Sequence, residues 1–148
     1  MNRLTAACAV ALSACVMLTA CVTTAPLVNP REQTVSFQTT QDKMRSAILD
    51  AAKTRKWRVV HDEPGAMTLA YPGTAKAVHF EAIVKVDYDA DSYQVSYVSS
   101  RGLDERQGCV NPKLSGKNKF DESIICVHRN VNRWMNNLSI DIMNNLYR

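Results

Sequence analysis

The sequence lacks the short motifs that mark common catalytic sites. It has only five glycines in 148 residues, and none of them forms a glycine-rich phosphate loop. The G-x-S-x-G turn of serine hydrolases and the H-E-x-x-H motif of zinc peptidases are absent. No two cysteines have the Cys-x-x-Cys spacing of redox and zinc sites. The chain is therefore more typical of a binding or structural protein than of an enzyme, and no cofactor is expected.

A strong charge bias is also lacking. The formal net charge is +4 at pH 7, and the basic residues do not form a run with interleaved aromatic residues. This pattern excludes a nucleic-acid partner. The segment 101–119 is locally basic, and it is predicted to be a solvated loop, with a weak attraction to anionic envelope surfaces as the alternative.

A short apolar segment opens the chain. Arg3 gives it a positive start, and an uncharged stretch follows from Leu4 to about Ala20. At about 17 residues this stretch is slightly shorter than the roughly 20 that a spanning helix needs. It ends in small residues. Residues 1–20 are therefore predicted to be a cleaved secretory signal, with a transmembrane anchor as the alternative.

The end of this segment, Leu18-Thr19-Ala20-Cys21, resembles the lipobox of bacterial lipoprotein precursors. The resemblance implies that the Cys21 thiolate accepts diacylglycerol, that the signal is cleaved before Cys21, and that the new amine is acylated. Leu12-Ser13-Ala14-Cys15 fits the same pattern, so Cys15 is the alternative lipidation site. Val22 stands where an aspartate would imply retention in the inner membrane. The implied location is therefore the outer membrane, facing the periplasm.

Five cysteines are accounted for by this assignment. Cys8 and Cys15 leave with the signal and Cys21 takes lipid, so Cys109 and Cys126 remain. Two cysteines in an oxidising compartment are expected to pair. The sequence therefore predicts a structural disulfide between them.

The remainder is predicted to be a tether and one domain. Residues 21–32, with two prolines, are the lipidated cysteine and a tether that extends at most about 35 Å. Residues 33–148 form the domain. Apolar periodicity predicts strands at 34–39, 57–61, 66–71, 78–88 and 93–100, a helix from 41 to about 55, a loop from 101 to about 122, and a last helix that starts between 123 and 130.

The order β-α-β-β-β-β-α predicts an α+β two-layer sandwich, an antiparallel sheet with two helices on one face. Ile48 of the first helix, with Trp134 and Leu138 of the last, is expected to pack on the apolar face of the sheet. Thr39 is expected to cap the first helix, with Asp42 completing a capping box.

Four stretches of this domain look like a group of small uncharacterised bacterial lipoproteins. They are Lys56-Trp57-Arg58-Val59, the Pro64-Gly65 turn, Val84–Tyr88 and His128–Leu138. The resemblance covers most of the domain after Lys56, except the segment around Cys109. It implies no catalytic residues.

Candidate metal and nucleophile sites are few. His61 and His79, with Glu81 close in sequence, could hold zinc if their strands are neighbours. Single histidines on solvated strand faces are the simpler interpretation. A nucleophilic pair of Cys126 and His128 is disfavoured, because positions two apart on a helix do not face each other.

A calcium loop is also disfavoured. Asp87, Asp89 and Asp91 alternate as at the start of such a loop, but Ser92 and Val98 stand where glycine and glutamate are required. A hairpin turn rich in Asx residues accounts for the same three aspartates.

Two surfaces could recognise a partner. One is the asparagine-rich face of the last helix, for which a simple solvated face is the alternative; its residues are Asn130, Asn132, Asn136, Asn137, Asn144 and Asn145. The other is an aromatic patch at the predicted hairpin, for which core packing is the alternative; its residues are Tyr88, Tyr93 and Tyr97. The sequence thus favours a lipid-anchored periplasmic domain that binds or supports another envelope component, a protein or peptidoglycan. A small periplasmic hydrolase or metal-dependent enzyme is the alternative.

Overall fold

The computed structural model describes residues 23–111, 113–114 and 120–148. The predicted signal, Cys15 and Cys21 lie outside the described residues. The elements are β1 (Thr24–Pro26), β2 (Gln33–Thr34), α1 (Gln41–Arg55), β3 (Arg58–Glu63), β4 (Ala66–Tyr71), β5 (Glu81–Tyr88), β6 (Ser92–Arg101), β7 (Arg106–Val110), β8 (Phe120–His128) and α2 (Asn130–Leu146). Two helices and two antiparallel sheets confirm the predicted α+β class.

The larger sheet has five strands in the order β2-β6-β5-β4-β3. Along β5 the side chains of Val84 and Val86 are fully buried, while Lys85 and Asp87, which alternate with them in the sequence, reach solvent. This alternation arises because both helices pack on one face of the sheet and water covers the other. The Tyr93 hydroxyl of β6 donates a hydrogen bond to the carbonyl oxygen of Ser139 in α2, at 2.6 Å.

α1 has the predicted extent but a different cap. Thr40 is the N-cap, and its hydroxyl accepts a hydrogen bond from the Lys43 amide at 3.2 Å. The hydroxyl of Thr39, the expected cap, is buried and has no hydrogen-bond partner within the described chain. Neither α1 nor α2 is long and apolar enough to cross a membrane, and the described residues hold no other helix that could.

The segment predicted as a loop, 101–122, instead contributes β7 and the start of β8 to a second sheet. Its three strands have the order β1-β8-β7. Cys109 of β7 and Cys126 of β8 are both buried, and their sulfur atoms lie at disulfide distance, with the Cα atoms 5.6 Å apart. The two cysteines that the sequence pairs therefore join neighbouring strands.

The start of β5 also differs from the prediction. Residues Ala75–Val78 form a 3₁₀ turn, and β5 begins only at Glu81. Val78, which continues the alternation in the sequence, is 73% exposed. The apolar alternation in the sequence therefore begins at Val78, three residues before the strand itself begins at Glu81.

The segment predicted as a free tether is docked on the domain from Thr23 onward. The carbonyl oxygen of Thr23 accepts a hydrogen bond from the Arg129 amide at 2.8 Å, and the Leu27 amide donates to Ile125 at 2.7 Å. Between these contacts β1 pairs with β8, and further along β2 pairs with β6. We call residues 23–34 the N-terminal arm. The predicted reach of about 35 Å is therefore not available in the folded protein.

One asparagine of α2 holds the N-terminal arm. Asn132 accepts a hydrogen bond from the Val28 amide at 3.0 Å and donates one to the carbonyl oxygen of Pro26 at 2.8 Å. Asn29 of the arm accepts in turn from the Tyr97 amide at 2.9 Å. A side-chain amide suits this position because it offers a donor and an acceptor at once.

Asn132→Ala is expected to lower the free energy of unfolding by about 1–2 kcal/mol, because it removes two hydrogen bonds of about 1 kcal/mol each. Urea denaturation measures the loss, and faster proteolysis of the arm accompanies it. Asn144→Ala, on the exposed side of the same helix, is the matched control and should change little. Equal losses in the two variants would contradict this role of Asn132.

Candidate binding site

The structure does not bring the candidate zinc ligands together. His61 lies on β3 with its Nε2 atom 3.3 Å from a carboxylate oxygen of Glu63. His79 follows the 3₁₀ turn, and Glu81 accepts a hydrogen bond from Arg58 at 3.0 Å. β4 separates β3 from β5. Within the described ranges no group of three or more His, Cys, Asp or Glu side chains could hold a metal ion.

The alternating aspartates form a turn. Asp89 accepts hydrogen bonds from the amides of Asp91 at 2.9 Å and Ser92 at 2.7 Å, and these bonds lower the pKa of Asp89. Asp87 pairs with Lys85 at 2.7 Å. The carboxylates are thus used in an Asx turn and an ion pair.

Cys126 and His128 have separate structural roles. Both lie on β8 rather than on a helix, and Cys126 belongs to the cysteine pair with Cys109. The Nδ1 atom of His128 accepts a hydrogen bond from the Asn130 amide at 3.3 Å, where α2 begins. Cys126 and His128 therefore do not form a pair of nucleophile and general base.

The three tyrosines do not form one aromatic patch. Tyr88 and Tyr93 are buried opposite each other in the β5–β6 pair. The Tyr97 hydroxyl donates a hydrogen bond to Glu105, which also accepts from the amide and hydroxyl of Ser100 at 2.9 and 3.1 Å. The bond from Tyr97 lowers the pKa of Glu105, and burial raises the pKa of Tyr97.

This network predicts a pH dependence of stability. The pKa of Glu105 is lower in the folded than in the unfolded protein, so its contribution is present above the unfolded pKa of about 4.3 and is lost as pH falls through the folded value. Glu105→Gln should therefore flatten the acid side of the curve of unfolding free energy against pH. Glu122→Gln, an exposed carboxyl, is the control and should leave the slope unchanged. Parallel curves for wild type and Glu105→Gln would contradict the prediction.

Four aromatic side chains from four parts of the chain meet at one end of the domain. Trp57 follows α1, Tyr71 ends β4, Phe80 precedes β5 and Trp134 lies on α2. The ring centroids are 5.2 Å apart for Trp57–Tyr71 and 4.5 Å for Tyr71–Trp134. Phe80 stacks on Trp134 with centroids 5.9 Å apart and an interplanar angle of 17°. Offset and tilted arrangements of this kind are favourable aromatic packing.

Two adjoining cavities open on these rings and share Tyr71. One has a volume of about 320 Å³ and is lined by Arg55, Trp57, Tyr71, Arg133, Trp134 and Asn137. The other has a volume of about 520 Å³ and is lined by Lys56, Tyr71, Pro72, Thr74, Ala75, Lys76 and Phe80. We call the two together the aromatic groove. Their volumes fall in the range of small-molecule and headgroup sites.

The charged side chains of the groove are mostly cations. Arg55 donates two hydrogen bonds to Asp141, one of them at 3.2 Å, which raise its pKa and fix its guanidinium. Arg133 is exposed, and no carboxylate of the described chain lies within ion-pair distance of it. Lys56 and Lys76 are also exposed. The groove therefore offers positive charge beside aromatic faces.

A close backbone contact at Gly73 joins the segment after β4 to the end of α1. The Gly73 amide donates a hydrogen bond at 2.6 Å to the carbonyl oxygen of Lys56, the residue that ends α1 with φ 60°. A Cβ atom at position 73 would lie 2.8 Å from that oxygen, so only glycine fits. The contact brings Tyr71 to the end of α1, beside Trp57.

Sequence reasoning missed this site because Trp134 was expected in the core with Leu138. The structure buries Leu138 fully and leaves Trp134 partly exposed. A usable signal was present. A basic residue precedes each tryptophan, in Lys56-Trp57 and in Arg133-Trp134.

The other asparagines of α2 are divided between contacts and solvent. Asn145 donates to the carbonyl oxygen of Ala47 in α1 at 3.2 Å, and Asn132 binds the arm. Asn136 and Asn144 are exposed. The asparagine face is therefore not one continuous recognition surface.

The groove can bind a ligand that combines a flat or apolar face with a negative group. The rings supply large rigid surfaces, and the free guanidinium of Arg133 supplies charge and a planar set of donors. No His, Cys, Ser, Asp or Glu side chain lies among its lining residues. Comparisons with protein-family models, curated protein sequences and solved structures give no match for this chain.

Proposed function

We propose that this chain is a lipid-anchored protein of the outer membrane, facing the periplasm, that binds another envelope component through the aromatic groove without chemical catalysis. The lipobox-like residues 18–21 support the anchor. The cysteine pair at disulfide distance supports an oxidising compartment.

One observation carries the binding role. Tyr71, Phe80 and Trp134 are only partly buried and line cavities next to the unpaired cation of Arg133. Aromatic residues and arginine are enriched at recognition sites relative to the rest of the protein surface. For the alternative of a hydrolase or metal-dependent enzyme, the described residues form no comparable arrangement around His61.

The test is site-specific crosslinking in bacterial cells that express the full-length protein. The photo-crosslinking residue p-benzoylphenylalanine replaces Thr74, an exposed residue that lines the groove, in one variant and Ile140, 50% exposed on α2, in the other. We expect an adduct from position 74 and little from position 140. Mass spectrometry of the adduct distinguishes a protein, a peptidoglycan fragment and a lipid. Equal crosslinking at both positions would contradict binding at the groove.

A further inference from the structure

The two ends of the five-stranded sheet carry opposite charge. One end is formed where β3 and β5 begin and where β4 and β6 finish. Its exposed cations are Lys56, Lys76, Arg101, Arg106, Arg129 and Arg133. Against them stand Asp104 and Glu105, since Glu81 pairs with Arg58 at 3.0 Å. We call this the basic end.

The opposite end is acidic. It contains the β5–β6 turn, the start of α1 and the end of the N-terminal arm. Its exposed carboxylates without a lysine or arginine partner in the described chain are Glu32, Asp42, Glu63, Asp89 and Asp91. Only two exposed cations of this end, Arg31 and Lys43, stand against these five without an ion-pair partner in the described chain. Because β5 has 8 residues, the two ends are separated by about 26 Å. The domain therefore has a charge asymmetry along its strands.

The described chain begins at the basic end. Arg129 donates its amide hydrogen to Thr23, and Arg106 donates a hydrogen bond to the Thr24 hydroxyl at 3.1 Å. The His128 amide donates at 2.8 Å to Leu103, two residues beyond β6. These contacts place the start of β1 beside the end of β6.

Covalent geometry then limits the distance to the predicted lipid. Only Val22 separates Cys21 from Thr23, so their Cα atoms are at most about 7.6 Å apart. Because the arm is docked from Thr23 onward, the folded domain has almost no slack between the acyl chains and the basic end.

The basic end also carries apolar and aromatic side chains. Val78 is 73% exposed, on a 3₁₀ turn whose carbonyl groups at Ala77 and Val78 accept hydrogen bonds from Arg101 at 2.6 and 3.2 Å. Phe80 of the groove, which stacks on Trp134, follows Val78 by two residues. Tryptophan and tyrosine together with lysine and arginine are typical of surfaces at the membrane–water interface.

We propose that the basic end, including the aromatic groove, lies against anionic phospholipid headgroups of the membrane that holds the anchor. Val78 then meets the interface, and Arg133 receives a lipid phosphate. The inference rests on the proposed lipidation of Cys21. Phospholipid is favoured over a glycan or protein partner because the cations are spread across a whole end of the domain, as a charged surface requires, and because the arm holds that end at the bilayer.

The test uses the mature acylated protein in vesicles. Val78→Cys and Ala90→Cys place a single labelled thiol at the basic end and in the opposite β5–β6 turn. The vesicles are phosphatidylcholine alone or mixed with phosphatidylglycerol, and both contain a phospholipid with a nitroxide quencher on its headgroup. At low salt we expect the dye at position 78 to be quenched about threefold more on anionic than on neutral vesicles, and the dye at position 90 to be unaffected.

Charge-reversal variants test whether the cations of the basic end cause the extra quenching. Arg129→Glu with Arg133→Glu should abolish the extra quenching, and Lys43→Glu at the acidic end should keep it. Equal quenching at positions 78 and 90, or no dependence on phosphatidylglycerol, would overturn the inference. So would relief of the position-78 signal by soluble peptidoglycan fragments, which would assign the groove to a glycan. Failure to associate with neutral vesicles would instead contradict the lipid anchor, and thus the proposed function.

Discussion

Changing Cys21 to serine is expected to leave nearly all of the protein as an unacylated precursor in the inner membrane instead of an acylated protein in the outer membrane. A serine offers no thiolate for the diacylglycerol, so neither acylation nor cleavage at this site follows. The uncleaved apolar stretch from Leu4 to about Ala20 then keeps the precursor at the membrane across which it is exported. Membrane fractionation and mass spectrometry of the mature N-terminus measure the result.

Cys15→Ser is the matched control, since Cys15 follows the same Leu-Ser-Ala pattern within the predicted signal. It should leave both the location and the N-terminal mass unchanged. Loss of processing in Cys15→Ser alone would assign lipidation to Cys15. A wild-type protein that itself keeps residues 1–20 and carries no lipid would support the transmembrane alternative.

Removing the cysteine pair is expected to lower the free energy of unfolding by about 3 kcal/mol. Cys109 and Cys126 are 17 residues apart, and closing a loop of that length restricts the unfolded chain by about that amount. The second sheet depends on this link, because β1 and β7 have only 3 and 5 residues. Urea denaturation of Cys109→Ala/Cys126→Ala against wild type measures the loss.

A reducing agent provides the control for this prediction. It should bring the wild-type protein to the stability of the double variant and leave the variant unchanged. Cys126→Ala alone should cost about as much as the double change, since either one opens the loop. A loss below about 1 kcal/mol, well under the range of 2–4 kcal/mol typical of disulfides, would contradict the prediction.

Most of the five-stranded sheet and both helices could be predicted from sequence because their signal is local, but the strand predicted at 34–39 is only the two-residue β2, Gln33–Thr34. β4 was predicted at Ala66–Tyr71 and has those bounds, and α1 runs from Gln41 to Arg55 as expected. Val84 and Val86 alternate with polar residues because one sheet face is covered and the other is wet. A short-range pattern is sufficient wherever one face of an element is buried.

The second sheet could not be predicted in this way. β8 reads F-D-E-S-I-I-C-V-H, which does not alternate, and β1 is too short to show any period. Their pairing depends on segments far apart in the chain and on the Cys109–Cys126 link. The docking of the N-terminal arm depends likewise on Asn132, a residue about a hundred positions away.

The aromatic groove was missed for a related reason. Its rings come singly from four parts of the chain, so no local motif contains them. Burial patterns assign Trp134 to the apolar stripe of α2 and cannot show that its outer edge meets Phe80 and a cavity. Only the packing of α2 across the ends of β4 and β5 brings these side chains together.

The docked N-terminal arm also sets the order of folding events. Val28 and Asn132, which bind each other, are 104 residues apart, so β1 has no partner until β8 and α2 have been synthesised. At a synthesis rate of about 5–20 residues per second, that delay is roughly 5–20 s. Throughout it the segment next to the predicted signal stays unpaired, and the small sheet cannot close. The arm that docks on the finished domain is thus among the first segments synthesised and among the last to find its partners.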